Sequence, residues 1–112
     1  MRKKSRKYTT NEIREKFLTQ AMATANYWAT LDDPSKTIEQ RCESVAFEIL
    51  VMLDGETDLP PFIVVPNPHP EDKNYHEEEG ENYYPDNNFK GISGNISGSL
   101  HELFYNYKKK KS

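Results

Sequence analysis

The large aliphatic residues of this chain are concentrated in residues 13–65, and most of them recur there at helical spacing. That pattern restricts the core to two amphipathic helices with little else beside them. At about 100° per residue, Ile13, Phe17, Ala21, Thr24, Trp28 and Leu31 share one stripe, with Tyr27 at its edge. Arg14, Glu15, Lys16 and Thr19 fall outside it. Thr9 and Glu12 have the spacing of a capping box, in which each side chain takes the other's backbone N–H, so a helix is predicted over about residues 10–30. Asp32-Asp33-Pro34 stops it.

A second helix is predicted over about residues 35–54. Asp33 and Pro34 form one possible start, and the Thr37–Gln40 capping box a competing one; Asp54-Gly55 ends it. Ile38, Cys42, Val45, Ala46, Ile49 and Leu53 make the face predicted to pack on the first helix, with Cys42 a buried, inert thiol. Phe47 and Val51 lie nearly opposite and need cover from later in the chain.

The rest is less regular. Phe62-Ile63-Val64-Val65, fenced by Pro60, Pro61 and Pro66, reads as a short edge strand. Residues 66–90 hold four Pro, seven acidic residues and five Asn, which reads as a long polar loop. The near-repeat Gly91-Ile-Ser-Gly94, Asn95-Ile-Ser-Gly98 supplies a second strand to pair with 62–65. Ser99 and Glu102 have capping-box spacing before a short helix over about 99–107, which would turn Leu100, Leu103, Phe104 and Tyr107 inward. The predicted fold class is therefore α+β: a long antiparallel helix pair, a two-stranded element and a short C-terminal helix. At 112 residues this is one domain, 9–107, with an irregular region at 55–98, a basic arm at 1–8 and a basic tail at 108–112.

Charge is distributed unevenly. Of 15 Lys and Arg, nine lie in the first seven and last five residues, leaving six against all 18 acidic residues between Tyr8 and Tyr107, a net −12. A body of that charge argues against broad contact with a nucleic-acid backbone and leaves only the ends for it. No stretch approaches the ~20 apolar residues of a membrane helix, and no apolar segment follows the basic N-terminus as in a secretory signal. A cytoplasmic location and no membrane contact follow as expectations. One cysteine excludes an internal disulfide.

No catalytic signature is present. His69, His76 and His101, near Glu71, Asp72, Glu77, Glu78, Glu79 and Glu102, are the candidate metal ligands, but their spacing matches no established site and a solvated acidic loop accounts for them. No cofactor is implied. Tyr75, Tyr83, Tyr84 and Phe89 in the polar loop are candidate partner contacts, because tyrosine gives a rigid contact with a polar tip. For nucleic acid the candidates are Arg2, Lys3, Lys4, Arg6 and Lys7 in the arm, with Tyr105, Tyr107, Lys108 and Lys109 at the other end.

Three stretches, Arg41 to Gly55, Pro60 to His69 and Leu100-His-Glu-Leu-Phe-Tyr105, together make the chain resemble small uncharacterised bacterial or prophage proteins. The resemblance implies a phage or mobile-element setting and carries no activity. The leading expectation is a small non-enzymatic binding protein with a protein partner, monomeric or a small homo-oligomer. Nucleic-acid binding through the arms is the alternative, and a metal-dependent enzyme built on the His/Glu loop the second alternative.

Overall fold

The computed structural model describes residues 5–87 and 91–111, with side chains in the last helix through Tyr107. Helix α1 spans Thr10–Thr30, α2 Ile38–Leu53, α3 Asp72–Glu78 and α4 Leu100–Lys111. No β-strand occurs among the described residues, so the fold is all-helical and the α+β expectation is corrected.

Local chemistry sets the helix starts. Thr9 caps α1 through a reciprocal pair, Glu12 N–H to Thr9 Oγ1 at 3.2 Å and Thr9 N–H to Glu12 Oε1 at 2.9 Å. Thr37 and Gln40 repeat the device for α2 at 3.0 and 2.9 Å, so α2 starts at Ile38 rather than near residue 35. Asp33 instead closes the turn between the helices, accepting from Ser35 N–H at 3.1 Å and Ser35 Oγ at 2.6 Å. These bonds, the Oγ donor foremost, hold the Asp33 carboxyl below its usual range.

The α1–α2 hairpin is sewn by polar groups. Trp28 Nε1 donates to Glu48 at 2.8 Å, and Arg41 donates to the carbonyls of Trp28 at 2.5 Å and Asp33 at 2.8 Å. These contacts turn the Arg41–Glu48–Met52 side of α2 towards α1. The stripe predicted for that role is rotated away: Ile38, Cys42 and Ala46 are exposed, and Val45, Ile49 and Leu53 are half-buried. Cys42 is thus an exposed thiol, correcting the buried reading.

Helix α4 covers the other side of α2. Phe47 meets the rings of His101, Phe104 and Tyr105 at centroid distances of 6.0, 6.4 and 5.3 Å. The cover sought for Phe47 therefore comes from the C-terminal helix. That helix runs on to Lys111, longer than the predicted 99–107.

The strand pair is replaced by a looser junction. Ile96 N–H reaches Val64 O at 2.9 Å, but Val64 N–H goes to the Asn95 side chain at 2.8 Å, and Ser97 Oγ donates to Phe62 O. Pro60, Pro61 and Pro66 lack donors for a ladder, and Gly91, Gly94 and Gly98 all have positive φ, so neither segment offers a regular extended edge. The polar loop also contains a helix where none was predicted. Asp72 Oδ2 accepts from His69 N–H at 3.0 Å, closing the turn that leads into α3.

The result is a plate of 56 × 54 × 19 Å. Its radius of gyration is 18.6 Å, against about 13 Å for a compact domain of this length. Met52 and Leu59 are the only buried hydrophobic residues among those described.

Candidate functional site

Two places in the plate concentrate chemistry. The first is Asp54, just past the end of α2. Its side chain is fully buried, yet it accepts from Gly98 N–H at 2.5 Å, His101 N–H at 2.8 Å and His101 Nδ1 at 2.6 Å. Burial pushes the carboxyl pKa up, and the donors of His101, Gly98 and Leu100 more than reverse that, holding it at about 2. The carboxylate thus satisfies N–H groups at the start of α4 that a helix leaves unpaired. The His101 N–H in the first turn of α4 is taken by a residue 47 positions away. An Asp–His pair is also the orienting half of a nucleophilic triad. Among the described residues the other ring nitrogen of His101 has no hydrogen-bonded hydroxyl or thiol, and the three bonds to Asp54 tie the start of α4 to the end of α2.

The second place is a groove of about 740 Å³ between the first half of α1 and the segment 58–62. Its apolar walls are Tyr8, Ile13, Leu59, Pro60, Pro61 and Phe62. Phe62 is fixed by its N–H to Leu53 O at 2.9 Å and by an edge-to-face contact with Phe17 at 5.8 Å. Gly55, with φ +83°, lets the segment come close: a Cβ there would lie 2.5 Å from the backbone nitrogen of Pro61. The rim carries Glu12, Glu15 and Asp58 against Lys16, whose Nζ sits 4.8 Å from the centre of the Tyr8 ring. The two-pronged pairing with Arg6 at 2.8 and 3.0 Å, then Thr9 N–H, lowers the Glu12 pKa to about 2 and offsets its charge, leaving Glu15 and Asp58 as the rim's acids unpaired among the described residues. Sequence reasoning did not find this groove, since its walls lie far apart in the chain; the one cue was a Pro-Pro pair shortly after a helix-ending glycine.

The predicted site residues are scattered. His76 pairs with Glu81 at 3.2 Å, His101 with Asp54, and His69 Nδ1 accepts from Glu71 N–H at 3.2 Å. These are three separate local arrangements, and no group of three or more His, Cys, Asp or Glu among the described residues is placed to share a metal. Tyr75, Tyr83 and Tyr84 are exposed on the polar loop, Tyr83 beneath Lys73 Nζ at 5.2 Å. Asn87 ties the base of that loop, donating to Pro66 O at 2.9 Å and Ser93 O at 3.0 Å and accepting from Ser93 N–H at 2.7 Å. Phe89, Arg2, Lys3 and Lys4 lie outside the described residues, as do the side chains of Lys108 and Lys109. Arg6 is engaged by Glu12, Lys7 is exposed, and Tyr105 and Tyr107 are exposed on α4. No helix among the described residues is long and apolar enough to cross a membrane.

No protein-family model, characterised protein or solved structure matches this chain.

Proposed function

We propose that this chain is a non-enzymatic binding protein whose groove between α1 and residues 58–62 holds a segment of a protein partner. The observation that carries the reading is the groove's make-up. Aromatic and proline walls stand open to solvent, their backbone is fixed by Phe62 N–H and by the close approach at Gly55, and beyond the Glu12–Arg6 pair the rim carries Glu15 and Asp58 against Lys16. Rigid apolar walls bind with little ordering cost, and an acidic rim favours a partner with Lys or Arg beside its apolar anchor. The size lies within the range of ordinary ligand sites, enough for one or two anchoring side chains. Tyr75, Tyr83 and Tyr84 add a second contact area on the loop tied by Asn87. A phage or mobile-element setting belongs to this reading through the sequence resemblance alone.

Panning a random peptide library against the full chain tests it. The expected outcome is enrichment of sequences with a large apolar residue flanked by Lys or Arg, with binding lost in Ile13→Glu and weakened in Tyr83→Ala or Tyr84→Ala. Peptides without that bias, or binding indifferent to Ile13→Glu, would refute the groove. Binding of single-stranded DNA that falls steeply with salt and depends on residues 1–7 would favour the nucleic-acid alternative.

A further inference from the structure

From Leu18 to Leu31, α1 carries no charged residue, yet none of its side chains is buried. Leu18, Met22, Ala25 and Ala29 recur at i, i+4, i+7 and i+11, one face of a helix. That face looks away from α2: Leu18 is 58% exposed and Met22 71%. On α2 the rotated stripe begins with Ile38, 82% exposed, and continues through the exposed Cys42 and Ala46. Helical geometry relates the two rows. Trp28 fixes the side of α1 that meets α2, and Arg41 and Glu48 fix the side of α2 that meets α1. Each exposed row lies roughly a quarter-turn from its contact side. Because the helices are antiparallel, both rows come out on the same side of the plate, opposite the face on which α4 packs.

We propose that this face of the α1–α2 hairpin is the interface with a second copy of the chain, two hairpins closing into a four-helix bundle about a twofold axis. The chain exposes more surface than a compact monomer of its mass. The chain exposes 9584 Å², whereas a folded monomer of 13.1 kDa exposes about 6,400 Å². The difference, about 3,200 Å² per chain, exceeds the roughly 1,000–2,500 Å² that each partner of an obligate homodimer buries, so the exposed surface is ample for such an interface. Charge also selects the partner. The body is strongly acidic, so two copies meet best where charge is absent, and the residues of the two rows themselves carry none. A basic protein would be drawn to the acidic groove rim instead. The twofold arrangement is self-complementary, with the small residues Ala25, Ala29 and Ala46 facing the larger Leu18, Met22 and Ile38. This inference goes beyond the groove reading, since it uses the other side of α1.

Sedimentation equilibrium of the full chain, with melts over a range of concentrations, tests it. The expected mass is twice 13.1 kDa, with a melting temperature that rises with concentration. Met22→Glu and Ile38→Glu place an unpaired charge in the seam and weaken association about 100-fold or more. Cys42 in the wild type reacts slowly with a disulfide thiol reagent, and at the rate of a free thiol once the dimer is diluted apart. Should both variants fail to fold, the wild-type concentration dependence and Cys42 protection still decide the matter, and absence of either overturns the proposal. A monomer with a concentration-independent melt overturns it, as does a dimer that survives both substitutions or is lost only in Ile13→Glu. Peptide binding by the groove is scored separately, so either proposal can fail alone.

Discussion

Asp54→Asn should release α4 from the plate. The aspartate accepts three hydrogen bonds within 2.8 Å, from Gly98 N–H, His101 N–H and His101 Nδ1. Bonds to a charged acceptor contribute about 1.5–3 kcal/mol each when measured singly, but these three share one carboxylate whose burial opposes them. The pKa gives a second handle. The carboxyl falls from 3.8 to about 2, and at 1.36 kcal/mol per unit the folded state favours the ionised form by about 2 kcal/mol. The asparagine also turns an N–H₂ group towards donors. A loss of about 2–4 kcal/mol follows, a large part of a small domain's stability. The sign with pH is fixed by the same shift. A depressed carboxyl contributes fully above its unfolded pKa near 3.8 and loses that contribution as pH falls towards 2. Urea unfolding at one protein concentration, followed by circular dichroism at pH 5 and pH 2, measures both. Wild type should lose stability over that interval, and Asp54→Asn should lose less. Amide exchange in α4 should rise in the variant at pH 5. A destabilisation below about 0.5 kcal/mol, with α4 amides still protected, would refute the clamp.

Gly55→Ala should be far more destabilising than Gly80→Ala: both have positive φ, costing roughly 1–2 kcal/mol, but only Gly55 would drive a Cβ into the Pro61 backbone. Met52→Ala, at a buried position, should cost about 2–5 kcal/mol, and Ile49→Ala, at a half-buried one, clearly less; equal losses in paired melts would restore the originally predicted stripe. Asn87→Ala should raise amide exchange in α4, although among the described residues Asn87 bonds to Pro66 and Ser93 and not to α4. A chain of residues 8–107 should melt within a few degrees of the full chain, because the Arg6–Glu12 pair it loses is solvent-exposed.

What was legible in the sequence was local. The Thr9–Glu12 and Thr37–Gln40 boxes are written in four residues each, and both form. The need to cover Phe47 was legible because it sits opposite the main stripe of α2. The use of that main stripe was not. An apolar row shows that something will cover it, and not whether the cover belongs to the same chain; here Trp28, Arg41 and Glu48 claimed the intrachain contact by hydrogen bonding and left Ile38 and Cys42 outside. The β element does not form because the branched residues 62–65 supply only propensity, while the prolines and positive-φ glycines around the junction decide its backbone bonding. Asp54 was read only as a helix stop, since nothing within its own turn announces a partner at His101.

The long excursion between α2 and α4 explains why so much bonding gathers on one carboxylate. Closing a flexible segment of the length between Asp54 and His101 costs on the order of 3 kcal/mol, growing only as the logarithm of length. Phe47 and its three ring contacts recover part of that, but they are incompletely buried and do not dictate register along α4. Asp54 does, because only one placement of α4 brings Gly98, His101 N–H and the imidazole to the same two oxygens. Asn87 lowers the cost from the other side. By tying Pro66 to Ser93 it takes the Tyr-bearing segment and α3 out of the loop that must be closed. The segment 67–92 can then carry exposed tyrosines and many acidic residues without weakening the docking of α4. The hairpin needs no such help, as its contacts are short-range and its capping boxes self-contained. The hairpin, the docked α4 and the displayed loop are thus each secured by their own few polar residues rather than by a shared core.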